Sequence, residues 1–75
     1  MYKKLFTLSN LSNHEICKRL DITHTVRQRF ESKGKKIDLE TFVRFSRALG
    51  VSDKDATELV TNEISKLWKQ YGNLN

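Results

Sequence analysis

Residues 19–36 read "RLDITHTVRQRFESKGKK", and two helix boundaries inside this stretch decide how the chain folds. Leu20 and Ile22 are apolar with Asp21 between them. Thr23 follows as a good N-cap, whose hydroxyl can take up a free amide of a helix's first turn. One helix is therefore expected to end near Asp21 and another to run from Thr23 to about Ser32. Val26 and Phe30, four residues apart, are its inward pair. The rest of that helix is polar or basic: His24, Thr25, Arg27, Gln28 and Arg29. A basic loop with Lys33, Lys35 and Lys36 comes next, around Gly34, which is free to take a positive φ.

The same logic extends in both directions. Upstream, "SNHE" pairs Ser12 as a cap with Glu15 three residues on, able to reach back to the Ser12 N–H. Ile16, Cys17 and Leu20 then form an inward face. A first helix is expected over Tyr2 to Ser9, with Leu5, Phe6 and Leu8 as its apolar contacts. Downstream, Asp38 can cap a helix from Leu39 to Leu49, with Leu39, Phe42, Val43 and either Ala48 or Leu49 in the core. Gly50 fits the left-handed position after its end. Ser52 caps a last helix, about 53–71, with Asp53 and Asp55 in its positive first turn. Ala56, Leu59, Val60, Ile64, Leu67, Trp68 and Tyr71 lie along one side of it. Apolar residues recur at three- and four-residue spacing and never alternate for long, so the class is all-α, a compact bundle of five helices.

Seventy-five residues suffice for one domain spanning 1–75. A core this small leaves little room for a deep substrate cleft, which argues against an enzyme. The net charge is +5, and it is uneven: residues 1–36 carry nine basic and three acidic side chains, residues 37–75 five and six. A positive amino-terminal half suits a polyanion, although lysines also simply keep small proteins in solution. The single cysteine, Cys17, cannot form an internal disulfide and reads as a small core residue. No apolar run approaches the ~20 residues needed to cross a bilayer, and "MYKKLFTLS" is too short for a signal peptide. A cytoplasmic location with no membrane partner is the expectation.

No catalytic arrangement emerges, because the acids fall at caps and on exposed faces. His14 and His24 do not combine with Cys17 into a zinc site, which needs about four ligands at recognisable spacing. Gly34 in "KGKK" lacks the fingerprint of a phosphate-binding loop. No metal and no cofactor are expected.

Five short pieces, "LSNHEIC", "LDIT", "RFESKGKK", "DLETF" and "RALGVS", stand in order over Leu11 to Ser52. They resemble the lambda repressor/Cro-like helix-turn-helix domains of the XRE family, whose pattern runs L-S-x-x-E-[LI]-A, L-G-[VI]-S, a recognition helix, S-L-E-T-L and A-L-G-V-S. The match has no gap over roughly forty residues, more than half the chain. It implies a lambda repressor-like DNA-binding domain with its helix-turn-helix at about 12–32, and a small regulator of the kind encoded by phages or mobile elements. It implies that helix 23–32 enters the major groove of double-stranded DNA, wide enough to admit it. His24, Thr25, Arg27 and Gln28 would then read bases, while Asn13, Thr23, Arg29, Lys33, Lys35 and Lys36 would hold phosphates.

Two positions depart from the family pattern. Asp21 stands where a turn glycine is usual, and Arg27 where a buried aliphatic residue is usual. Both favour an alternative, an antirepressor-type protein that inactivates another regulator through protein contacts; an antitoxin is a third reading. Leu67, Trp68 and Tyr71, near the chain end, are the expected partner or dimer surface, for a homodimer or a complex with another repressor protein.

Overall fold

The computed structural model describes residues 1–32 and 38–72. It is all-helical over those residues, with α1 (Tyr2–Leu8), α2 (Asn13–Leu20), α3 (His24–Glu31), α4 (Leu39–Ala48) and α5 (Asp53–Tyr71). No described helix is long and apolar enough to cross a membrane.

The helix boundaries follow from local chemistry. Ser12 Oγ accepts the Glu15 amide at 3.1 Å, Thr23 Oγ1 the Val26 amide at 3.2 Å, and Ser52 Oγ the Asp55 amide at 3.2 Å. Each hydroxyl satisfies an amide that the first turn leaves without a partner. The Glu15 carboxylate turns to Arg19 Nε, 3.0 Å away, rather than back to the Ser12 amide, so only half of the expected reciprocal cap is made. That hydrogen bond from Arg19 holds the Glu15 carboxyl below its ordinary range. Asp38 caps α4 through the Glu40 amide and the Thr41 hydroxyl.

Two helices end in the same way. After α2, Asp21 has φ 55°, while Ile22 N–H donates to Cys17 O and Asp21 N–H to Lys18 O. After α4, Gly50 has φ 73°, and the amides of Val51 and Gly50 donate to Ser46 O and Arg47 O. Both are left-handed terminations that satisfy the last carbonyls and reverse the chain at once. Asp is one of the few non-glycine types that tolerates this backbone.

The buried core is Tyr2, Leu5, Phe6, Ile16, Cys17, Phe42 and Leu49. Tyr2 is its hub: the ring lies 4.9 Å from Phe30, 5.7 Å from Phe42 and 5.9 Å from Phe45, centroid to centroid, each edge-on. Edge-to-face pairs of this kind add to the burial of the rings themselves. Phe30 and Phe45 close the cluster at 5.0 Å, so the end of α3 is held against α1 and α4 by aromatic contacts.

Several expected core positions lie elsewhere. Leu8 is exposed, and Tyr2 takes its place on the inner side of α1. In α4 the inward row is Phe42, Phe45, Ser46 and Leu49, while Leu39, Val43 and Ala48 face out. The helix is turned so that both of its phenylalanines reach Tyr2. Ser46 is buried at no cost in unmade bonds, because its hydroxyl donates to Phe42 O at 2.7 Å. Ile64 is exposed, since α5 keeps only Ala56, Leu59 and Val60 against the core and then runs past it.

Candidate nucleic-acid interface

The Asp21 turn places α3 directly across α2, with Thr23 capping its start. The helix then divides cleanly. Val26 and Phe30 are half-buried, Arg27 is buried, and Glu31 is half-buried, so this side faces α1 and α2. His24, Thr25, Gln28 and Arg29 are exposed on the other side, where spacings of three and four residues bring them into one row.

Of the expected base-reading residues, the structure therefore brings together His24, Thr25 and Gln28, and adds Arg29. Arg27 is the correction. It is only 8% exposed, and Nη1 donates to Glu31 Oε1 at 2.6 Å on the inner side of the helix. A long side chain can bury its methylene stem along apolar neighbours, and here it occupies the interior position that an aliphatic residue would fill. Its Nε is buried and has no hydrogen-bond partner among the described residues.

His24 is anchored as well as exposed. Its Nδ1 lies 3.7 Å from the Cys17 thiol of α2. With Nδ1 as acceptor of that weak bond, Nε2 carries the proton and is the donor left for an outside group. The contact joins α2 to the first residue of α3 and limits how far α3 can roll.

The expected phosphate contacts are spread more widely. Thr23 is exposed at the start of α3, though its hydroxyl already accepts the Val26 amide. Asn13, the first residue of α2, is exposed and borders a polar hollow shared with Lys3, Asn10, Arg27 and Glu31. Lys33, Lys35 and Lys36 lie outside the described residues. Among the described residues no group of three His, Cys, Asp or Glu side chains could hold a metal ion.

A second exposed feature lies on α5. Leu67, Trp68 and Tyr71 face outward as expected, and Ile64 joins them. Beside this stripe, a groove between α4 and α5 is lined by Leu39, Val43, Ala56, Thr57 and Val60 among others. The sequence signal for it is the apolar ladder of α5 itself, which runs on at unchanged spacing beyond what a small body can cover.

No family model matches the chain, and no curated protein or solved structure matches it either.

Proposed function

We propose that this chain is a small DNA-binding transcriptional regulator of the Cro/repressor type, which lays the exposed side of α3 in the major groove of double-stranded DNA. The observation that carries the reading is the row His24, Thr25, Gln28 and Arg29, presented on a short helix held from behind by Arg27, Phe30 and Val26. Its physical logic is that of a helix-turn-helix: one helix is fixed by its partner and a tight turn, so that its free face is offered to base edges.

In this reading Gln28 makes a paired contact with adenine N6 and N7, and His24 Nε2–H and the Thr25 hydroxyl meet neighbouring acceptors. Arg29 takes a guanine edge or a phosphate. Thr23 and Asn13, each at a helix start, and Lys33, Lys35 and Lys36 of the basic stretch that follows in the sequence meet the sugar-phosphate backbone. Repression follows from occupying an operator, with no cofactor and no chemistry. The antirepressor alternative draws on Arg27 as an outward, pattern-breaking charge. With Arg27 on the inner side, that feature no longer bears on the face that α3 presents, and the acidic Asp21 at the turn is the ground that remains for it.

The test is binding of the intact chain to duplex DNA, including the DNA flanking its own gene, over a series of salt concentrations. Affinity should fall steeply with salt, as it does when lysines displace condensed counterions. Lys35→Ala and Lys36→Ala should weaken binding at every sequence and shallow the salt slope by about one unit each. Gln28→Ala should cost about 1–3 kcal/mol at the preferred site and little elsewhere. Failure to bind any duplex at low salt ends this reading.

A further inference from the structure

We propose that the polar hollow behind α3 is a binding site for a small carboxylate, held by the edge of the Arg27 guanidinium that Glu31 leaves free. The site shares only Asn13 with the DNA reading and can hold or fail without it.

The hollow lies where α1, the start of α2 and the inner side of α3 meet, and its volume is about 420 Å³. Small-molecule sites usually fall between about 300 and 1,000 Å³. Its polar groups come from Lys3, Asn10, Asn13, Arg27 and Glu31, and the buried Phe6 and Ile16 give it an apolar wall.

Arg27 is what calls for an occupant. Its side chain is only 10% exposed, and Glu31 accepts from Nη1 alone. Nε is buried and, among the described residues, has no hydrogen-bond partner. The Nε–H and the Nη2–H beside it are parallel donors on one edge of the guanidinium. That edge matches both oxygens of a carboxylate at once. An unmet donor on a buried charged group is costly, and a bound ion is one recurrent reason that such a donor persists. Lys3 and Asn10 are exposed and Glu31 is half-buried, so side-chain rotation alone opens the wall to a ligand. An aliphatic residue at position 27, usual in the family that the sequence resembles, would leave the hollow without this donor pair.

Charge and surroundings select the class of ligand. Lys3 and Arg27 stand against the single carboxylate of Glu31, and Asn13 is the first residue of α2, where the helix dipole is positive. One negative charge balances that set. A second, as on sulfate, meets Glu31 at close range and is repelled. Phe6 and Ile16 suit the hydrocarbon part of an organic acid, while the side-chain amides of Asn10 and Asn13 can meet a hydroxyl. A short hydroxy acid therefore fits better than a bare inorganic ion.

The experiment is a proton–nitrogen NMR titration of the full chain, free of DNA, with sodium lactate and sodium acetate as probes. The buried Arg27 Nε–H should give a signal of its own. Lactate should move it downfield to saturation in the millimolar range, with the backbone amides of Asn10 and Asn13 following the same curve. Acetate should do the same with lower affinity. Sodium chloride at equal ionic strength should leave all three signals in place, and sulfate should not saturate them.

Arg27→Met should keep the helix content and lose the lactate response at Asn10 and Asn13. Lys3→Ala, at an exposed position, should weaken lactate binding about two- to fivefold, the worth of an exposed charge contact. Glu31→Gln should tighten lactate and admit sulfate, because the opposing charge is gone. A signal that never saturates, or that moves equally in chloride, overturns the inference. So does a response at Asn10 and Asn13 that survives in Arg27→Met. Tighter binding of sulfate than of lactate by the native chain overturns the carboxylate assignment.

Discussion

Arg27 and Glu31 are joined by a 2.6 Å hydrogen bond one turn apart on the inner side of α3, so the guanidinium that packs inward has its counter-charge on the same helix. The guanidinium is drawn inside by its stem and held by a carboxylate that keeps partial contact with water. Had Arg27 pointed out, α3 would have been rolled by a residue or more and Gln28 carried toward its edge.

Burial of this pair predicts an asymmetry between two substitutions. Arg27→Ala should destabilise the fold by about 1–3 kcal/mol, by leaving a gap and an unpaired, half-buried Glu31. Arg27→Met, which fills the space, should be neutral within about 1 kcal/mol and leave any DNA affinity unchanged. Urea unfolding followed by circular dichroism measures the first part. Equal losses for the two variants would mean that the ion pair itself, and not the filled volume, holds α3.

At the α2–α3 turn, Asp21 sits at φ 55° where glycine would be unstrained. Asp21→Gly should stabilise by up to about 1 kcal/mol, the relief being offset in part by the greater freedom of glycine in the unfolded chain. Asp21→Asn keeps the tolerance for this backbone and removes the charge, so it should match the native stability. A loss of stability in Asp21→Gly would show that the Asp side chain contributes a contact of its own.

Thr23 has a structural task that can be separated from phosphate contact. Thr23→Ala removes the acceptor for the Val26 amide and should cost about 1 kcal/mol, whereas Thr23→Ser should retain most of the cap. If the alanine variant melts with the native protein, the 3.2 Å bond is of no consequence to α3.

Burial pushes the Tyr2 phenol above its ordinary pKa, and the charge of Asp38 adds to the effect. The unfolded chain ionises this group near pH ~10, below the folded protein. Its contribution to stability is thus complete below pH ~10 and is lost as pH rises through the folded value. Denaturation midpoints taken from pH ~9 upward should fall more steeply for the native chain than for Tyr2→Phe. Parallel curves would show that Tyr2 ionises without opposing the fold.

Much of the molecule is legible residue by residue. The caps at Ser12, Thr23, Asp38 and Ser52 and the left-handed position at Gly50 all stand where the sequence predicts them, and Asp21 takes the left-handed backbone of the turn glycine that it replaces. His24, Thr25 and Gln28 share an exposed row as expected, and Trp68 and Tyr71 are exposed on α5. The rotation of the helices is what the sequence pattern misplaces. It puts Arg27 outside, Leu39 and Val43 inside, and Ile64 against the core, and the structure reverses all four. The partner role of Tyr2 escapes the pattern too, because a terminal tyrosine followed by two lysines carries no local sign of burial.

The sequence by itself determined where α2, α3, α4 and α5 begin and where α2 and α4 end, because a cap or a left-handed turn is settled by hydrogen bonds among residues two to five apart. Only the tertiary structure decided which side of each helix faces in. Adjacent positions on a helix are about 100° apart, so two neighbouring apolar stripes can fit one pattern almost equally well. In α4 the choice fell to the stripe whose phenylalanines meet Tyr2, and in α3 to the one that sets Phe30 against Tyr2 and Phe45. Along α5 no such choice arose beyond Val60, because the rest of the body ends before the helix does.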